Sequence, residues 1–135
     1  MFIEYNEIKP PITLTVGDYE RLSLLARAAA RRMPDLVSVL TEELERAHVL
    51  AGGHPEQTVC MGSVVEFRDD RSGKVQTVTL VYPGDADISQ RRVSILSPVG
   101  TALIGLKTGH SITFETGTGD IRRLTVLKVD GPPLR

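Results

Sequence analysis

Cysteine, histidine, aromatics and a surplus of either charge are what this sequence has least of. A single cysteine, Cys60, in 135 residues excludes an internal disulfide, and no Cys/His pair stands at the spacing of a zinc cluster. His48, His54 and His110 are far apart, and none is paired at the i, i+3 or i+4 spacing that would put two on one helix face. No metal or other cofactor is therefore expected. Lys plus Arg number 16 against 17 Asp plus Glu, a formal charge of −1, which argues against a protein that blankets nucleic acid or anionic lipid with positive charge. Sequence-specific DNA binding is not expected. No apolar run approaches the ~18 residues of a membrane span. The first residues, with Glu4, Glu7 and Pro10-Pro11, lack the basic-then-apolar order of a leader, so a cytoplasmic, non-membrane protein is expected.

What is present divides into two parts, residues 1–53 and 54–135. Residues 1 to 14 read as an extended arm, because Pro10-Pro11 lacks backbone donors and disfavours helix. Thr15 with Asp18 three residues on resembles a capping box, and Tyr19, Leu22, Leu25, Ala26, Ala29 and Met33 then form one helical stripe. Met33-Pro34-Asp35 breaks the helix, since Pro34 suits a helix start but not an interior. Leu36, Val37, Leu40, Leu44, Ala47 and Ala51 predict a second helix running to Gly52-Gly53. The short turn makes this an antiparallel hairpin whose stripes bury each other. Arg21 and Arg27 against Glu42, Glu43 and Glu45 are expected as cross-helix surface pairs.

Beyond His54-Pro55 the period falls to 2. Val65 and Phe67 alternate with Glu66 and Arg68, Asp69 to Gly73 supplies a turn, and Val75, Thr77, Thr79 and Val81 alternate again, a β-hairpin. Further strands are predicted over 92–96, 110–116 and 121–129, the last two joined by the Gly117-Thr118-Gly119-Asp120 turn. Ser97 as N-cap, Pro98 at the first position and Gly105 past the end predict a short helix over 99–104. The fold class is α+β: an N-terminal coiled-coil hairpin, then an antiparallel sheet crossed by one short helix and ended by a loose tail from Gly131.

Several stretches carry a resemblance: Leu80-Val81-Tyr82-Pro83, the run from Val93 through Ser97-Pro98-Val99-Gly100 to Leu106, and Leu124 to Val129. They resemble the C-terminal domain of the bacterial Gre transcript-cleavage factors and, more closely, the Rnk family, regulators of nucleoside diphosphate kinase. The resemblance implies an FKBP-like C-terminal fold and a partner, RNA polymerase, met at the mouth of its secondary channel. It also implies that the loop Leu96, Ser97, Pro98 and Val99 is the polymerase contact. Gre factors hold a catalytic magnesium ion with acidic side chains at the tip of a long hairpin, and a hard cation of this kind asks for several carboxylate oxygens. Here the tip offers Asp35 beside Arg31 and Arg32 on a short hairpin. The expected function is a polymerase-binding transcription regulator, not an enzyme, that docks without stimulating cleavage.

Other features read as structural. Asp85 and Asp87 sit in a turn without a nearby His or Cys, Gly117-Thr118-Gly119 lacks the Lys-Ser/Thr of a phosphate loop, and Arg91-Arg92 and Arg122-Arg123 are isolated doublets. Cys60 between Val59 and Met61 fits a buried strand position and has no basic neighbour to activate it. One alternative is a prolyl isomerase, although Phe67, Tyr82 and Phe114 are few for an aromatic pocket. A dimerising module using a sheet edge is another. The expected state is a monomer.

Overall fold

The structure, a computed structural model, describes residues 9–53 and 55–131. The first eight residues of the expected arm, and the tail from Pro132, lie outside them. The chain runs β1 (Thr13–Thr15), α1 (Val16–Ala29), α2 (Pro34–Arg46), β2 (His48–Leu50), β3 (Val64–Asp69), β4 (Val75–Val81), β5 (Arg92–Ser94), α3 (Pro98–Leu103), β6 (Ser111–Glu115) and β7 (Ile121–Asp130). Single 3-10 turns over Pro83–Asp85 and Ile88–Gln90 link β4 to β5.

The helical part follows its local signals closely at the start. Thr15 Oγ1 accepts from the Asp18 amide at 3.0 Å, which satisfies one of the orphan donors of the first turn. Leu22, Ala26 and Ala29 of α1 and Val37, Leu40 and Leu44 of α2 are buried in one cluster. The alanines keep the contact thin, so the two helix axes can approach closely. No helix among the described residues is long and apolar enough to cross a membrane.

The end of α2 departs from expectation. The helix stops at Arg46, Ala47 is extended (φ −74°, ψ 141°), and His48–Leu50 pairs in parallel with β1, Thr13 opposite His48. Ala47 and Ala51 therefore do not continue the helical stripe. The free backbone edge of β1 decides the matter: His48 N donates to Ile12 O at 2.9 Å, and a three-residue segment has too few residues for either period to dominate. The arm is extended as expected but anchored, with Ile12 and Leu14 each only 1% exposed. Thr13 N donates to Gly105 O, and at Gly105 (φ +80°) a Cβ would stand 2.6 Å from Ile12 Cβ. Only glycine allows the arm to pass there.

The five-stranded sheet has the order β5-β4-β3-β7-β6. It is antiparallel except for one pair, because β4 and β5 run parallel, Thr79 opposite Arg92 and Val81 opposite Ser94. This corrects the fully antiparallel reading. The ten residues 82–91, folded into two 3-10 turns, carry the chain back so that β5 re-enters in the direction of β4, and a tight hairpin could not do so. The strand is also shorter than expected, since Ile95 and Leu96 have already left it for the core. Helix α3 packs against β5 and β6, and α2 packs on α3. One hydrophobic cluster contains residues from the helices, the arm and the sheet.

Polar contacts between the parts differ from the surface pairs expected. Glu43 is 1% exposed and receives Arg46 Nη2 at 2.8 Å and Lys9 Nζ at 3.6 Å, while Arg46 also donates to the Pro10 carbonyl. Arg21 lies over the Tyr82 ring, 4.9 Å from its centroid, and Asp18 Oδ2 accepts from the Met61 amide at 3.1 Å. Helix α1 is thus tied to the sheet side rather than to the acidic face of α2.

Candidate functional site

The residues Ser94 to Thr101 form a rigid corner. Ser97 Oγ accepts from the Gly100 amide at 3.0 Å and donates to Ser94 O at 2.7 Å, so one hydroxyl caps α3 and grips the end of β5. Ser94 Oγ accepts from the Leu96 amide at 2.9 Å, and Thr101 Oγ1 lies 3.1 Å from both Ser97 O and Pro98 O. Gly100 is what lets the helix start so close: a Cβ on it would meet Ser94 O at 2.2 Å. Leu96, 9% exposed, faces the core and supports the corner from beneath. Ser97, Pro98 and Val99 are half-buried and form the outer surface.

Three grooves meet at Pro98. One, of about 380 Å³, lies on the sheet face with Phe67, Val78, Val93 and Leu124 among its lining residues and Ser97, Pro98 and Val99 at one wall. A second, of about 610 Å³, separates Met33, Asp35 and Leu36 from Glu115 to Gly117, again with Pro98 in its wall. The third runs between α2 and β6. The fold thus brings Asp35, in the first turn of α2, to the same corner as Ser97 and Pro98. Arg31 and Arg32 are exposed and line none of these grooves. Sequence spacing alone does not place Phe67, Val93 and Phe114 around one groove, because they come from three strands whose order is set by long-range pairing.

Charges at the rim of the sheet-face groove are largely paired. Arg122 Nη1 meets Asp69 Oδ2 at 2.6 Å, and Asp70 holds Arg68 and Arg123 at 3.0 Å each and accepts from Thr125. Burial pushes the Asp69 carboxyl up, but hydrogen bonds from the Ser72 amide, Arg122 and the Arg71 amide outweigh it, and its pKa lies below the ordinary value. Asp70 is lowered in the same way, against burial, by Thr125, Arg68 and Arg123. The Arg122-Arg123 doublet thus locks the β3–β4 turn onto β7.

The remaining chemistry-bearing residues have structural occupations. Asp87 Oδ1 accepts from the Ser89 amide at 3.0 Å and its hydroxyl at 2.6 Å, bonds that hold its carboxyl below the usual range. Cys60 is buried, though in the segment before β3 rather than in a strand, and burial with the Asp18 charge pushes its thiol up to about 11. Gly117 to Asp120 is the turn between β6 and β7. Of the three aromatics in the C-terminal part, Phe67 and Phe114 line the sheet-face groove and Tyr82 lies against α1 instead. Among the described residues no group of three or more His, Cys, Asp or Glu could hold a metal ion.

The chain is similar to known proteins in sequence and in fold. Residues 54–131 match the family described as transcription elongation factor, GreA/GreB, C-terminal, and residues 10–50 match the one described as Rnk N-terminus. A solved structure described as prokaryotic transcription elongation factor GreA/GreB from Nitrosomonas europaea superposes with a TM-score of 0.71 at 37% identity, covering 91% of this chain and 100% of that one. The protein is a Gre-like transcription regulator by class.

Two relatives narrow this further. The regulator of nucleoside diphosphate kinase of Escherichia coli is 35% identical over 126 residues, 93% of each chain. Transcription inhibitor protein Gfh1 of Thermus thermophilus is 32% identical over 131 residues, 95% of this chain and 83% of that one. The chain belongs to the Rnk family: an Rnk-type N-terminal part joined to a Gre-type C-terminal one.

Proposed function

We propose that this protein docks on RNA polymerase through the corner Leu96 to Val99, near the secondary channel, and regulates transcription there without stimulating transcript cleavage. The observation that carries this reading is Pro98 at the junction of three grooves on a corner held rigid by the Ser97 cap. A preorganised apolar corner beside a groove loses little freedom on binding, which favours docking onto a shaped protein surface. Ser97, Pro98 and Val99 supply the surface and Leu96 the support beneath it.

The helical part supports the absence of cleavage. Helix α1 has 14 residues, about 21 Å at 1.5 Å per residue. Its turn, with Asp35 flanked by Arg31 and Arg32, lies beside the docking corner rather than far from it. A cleavage centre would need carboxylates carried well beyond that corner. Residues 1–53 in this reading are an occupant of the channel mouth and residues 54–135 are the anchor. The protein acts as a cytoplasmic monomer, and the regulatory link to nucleoside diphosphate kinase in the name of the E. coli relative extends to it.

The test is a pull-down of purified core RNA polymerase with and without a competing Gre factor. Capture that the competitor displaces is expected, and no capture would overturn the reading. Pro98→Ala should weaken capture while leaving the melting temperature in place. Added to backtracked elongation complexes, the protein should leave the cleavage rate unchanged, and stimulation would defeat the non-catalytic assignment.

A further inference from the structure

The loop between β4 and β5 holds an apolar side chain out into solvent. Ile88 is 81% exposed, the most exposed large apolar side chain among the described residues. The loop that carries it is closed on itself. Asp87 N donates to Arg92 O and Arg92 N to Asp87 O, at 3.0 and 2.9 Å, Gln90 N donates to Asp87 O, and Asp87 Oδ1 takes both the amide and the hydroxyl of Ser89. Arg91 sits in the left-handed region (φ 57°, ψ 36°), a conformation that side chains with a Cβ rarely adopt. Its carbonyl accepts from Thr79 N at 2.8 Å, which pins the strained residue to β4. Strain of this kind persists where the surroundings enforce it, and it collects at functional surfaces.

Ile88 lies at the boundary of two hollows. It lines the sheet-face groove beside Val93, and it lines an adjoining hollow of about 360 Å³ together with Ser89 and Arg91. The charges around it are unequal. Arg122 is matched by Asp69. Within the loop the Asp87 carboxylate, hydrogen-bonded by Ser89 but still charged, stands against two cations: Arg92, whose charge acts on it, and Arg91, which makes no ion pair among the described residues, so the loop keeps a positive surplus. The patch is therefore apolar at the centre with a cation at the margin, the complement of a protein segment that carries an apolar side chain next to a carboxylate.

We infer that the docking surface extends from the Ser97 corner across the groove to the loop Asp87–Arg92, where Ile88 anchors a polymerase segment of that composition and Arg91 meets its carboxylate. The inference rests on the polymerase-docking reading and adds a second contact of the site and the chemistry of what fills it. Ile88 and Val99 both line the groove and hold the segment together.

The experiment measures the affinity of core RNA polymerase for the full chain and for Ile88→Ser, Arg91→Gly and Pro98→Ala, each with its melting temperature. Ile88→Ser should bind about tenfold more weakly, the loss expected from truncating a central anchor, with an unchanged melting temperature because the side chain is already in water. Arg91→Gly should melt at or above the wild-type temperature, since glycine accepts the left-handed backbone, yet bind more weakly and with a shallower dependence on salt. If the wild type and these two variants bind alike while Pro98→Ala is weakened, the inference is overturned and the docking reading stands. If the wild type does not bind, both fall. A wild-type dimer that Ile88→Ser dissolves, with polymerase affinity unchanged, would assign the patch to a second copy of this chain and overturn the inference equally.

Discussion

Replacing Gly100 by alanine should destabilise this protein, against the usual sign for such a change in a helix. In an ordinary helix interior alanine is favoured over glycine by about 0.8–1.0 kcal/mol. Gly100 lies in α3, but its missing side chain is where the corner closes: an added Cβ would stand 2.2 Å from Ser94 O and 2.9 Å from Ile95 Cα. Both obstacles are backbone, so neither can rotate away, and one side must move by about 1 Å to reach ordinary contact. Overpacking of this sort costs typically 1–3 kcal/mol. The displaced Ser94 carbonyl is also the acceptor of Ser97 Oγ, whose cap on α3 contributes about 1 kcal/mol more. Offset by propensity, the net loss is about 1–3 kcal/mol. For a domain of this size that lowers the melting temperature by about 3–12 °C. Thermal melts and urea titrations followed by circular dichroism measure it, with Gly84→Ala, where a Cβ meets nothing within 4 Å, as the control. A Gly100→Ala protein as stable as the wild type, or more so, would refute the packing account of the corner. The variant should also lose affinity for polymerase more than Gly84→Ala does, because Ser97, Pro98 and Val99 ride on the displaced backbone.

Three further outcomes are expected. Glu43→Ala should lose about 1–3 kcal/mol in a urea titration, since the buried carboxylate holds Arg46 and Lys9, and Glu43→Gln should lose less by keeping part of the hydrogen bonding. The Asp69 and Asp70 carboxyls are lowered on folding, so their contribution is complete above the unfolded value of about 3.9 and is lost as pH falls from there through their folded values. The double variant Asp69→Asn/Asp70→Asn should accordingly show less loss of stability between pH 5 and pH 2 than the wild type. Cys60, buried and raised to about 11, should resist thiol reagents at pH 8 until denaturant is added, and stoichiometric labelling of the folded protein within seconds would contradict its placement.

Much of the local structure was legible because its causes lie within three or four residues of each other. The Thr15 cap, the Met33-Pro34 break and the Ser97-Pro98 start of α3 are each a side chain acting on its own neighbourhood, and each stands where its signal lies. Residues 48–50 were not legible in this way. Ala47 and Ala51 fit a helical period, but over so short a stretch the period is weak, and the outcome rests on hydrogen bonds to an arm more than 30 residues earlier. Likewise Glu43 is an acidic residue on a helix that reads as surface, and it is buried because Lys9 and Arg46 converge on it.

The sequence by itself determined the α+β class, the two helices and their break, the capped corner at Ser97 and the family to which the chain belongs. These depend on residue chemistry and short-range periodicity. Tertiary structure alone decided that β5 runs parallel to β4, that Met33, between α1 and α2, shares a groove with Pro98, and that exposed Ile88 lines another groove of that corner. Each of these is a matter of which distant segments meet. Sheet order and helix packing settle it through the burial and pairing of the whole chain, and no spacing within a segment records the result.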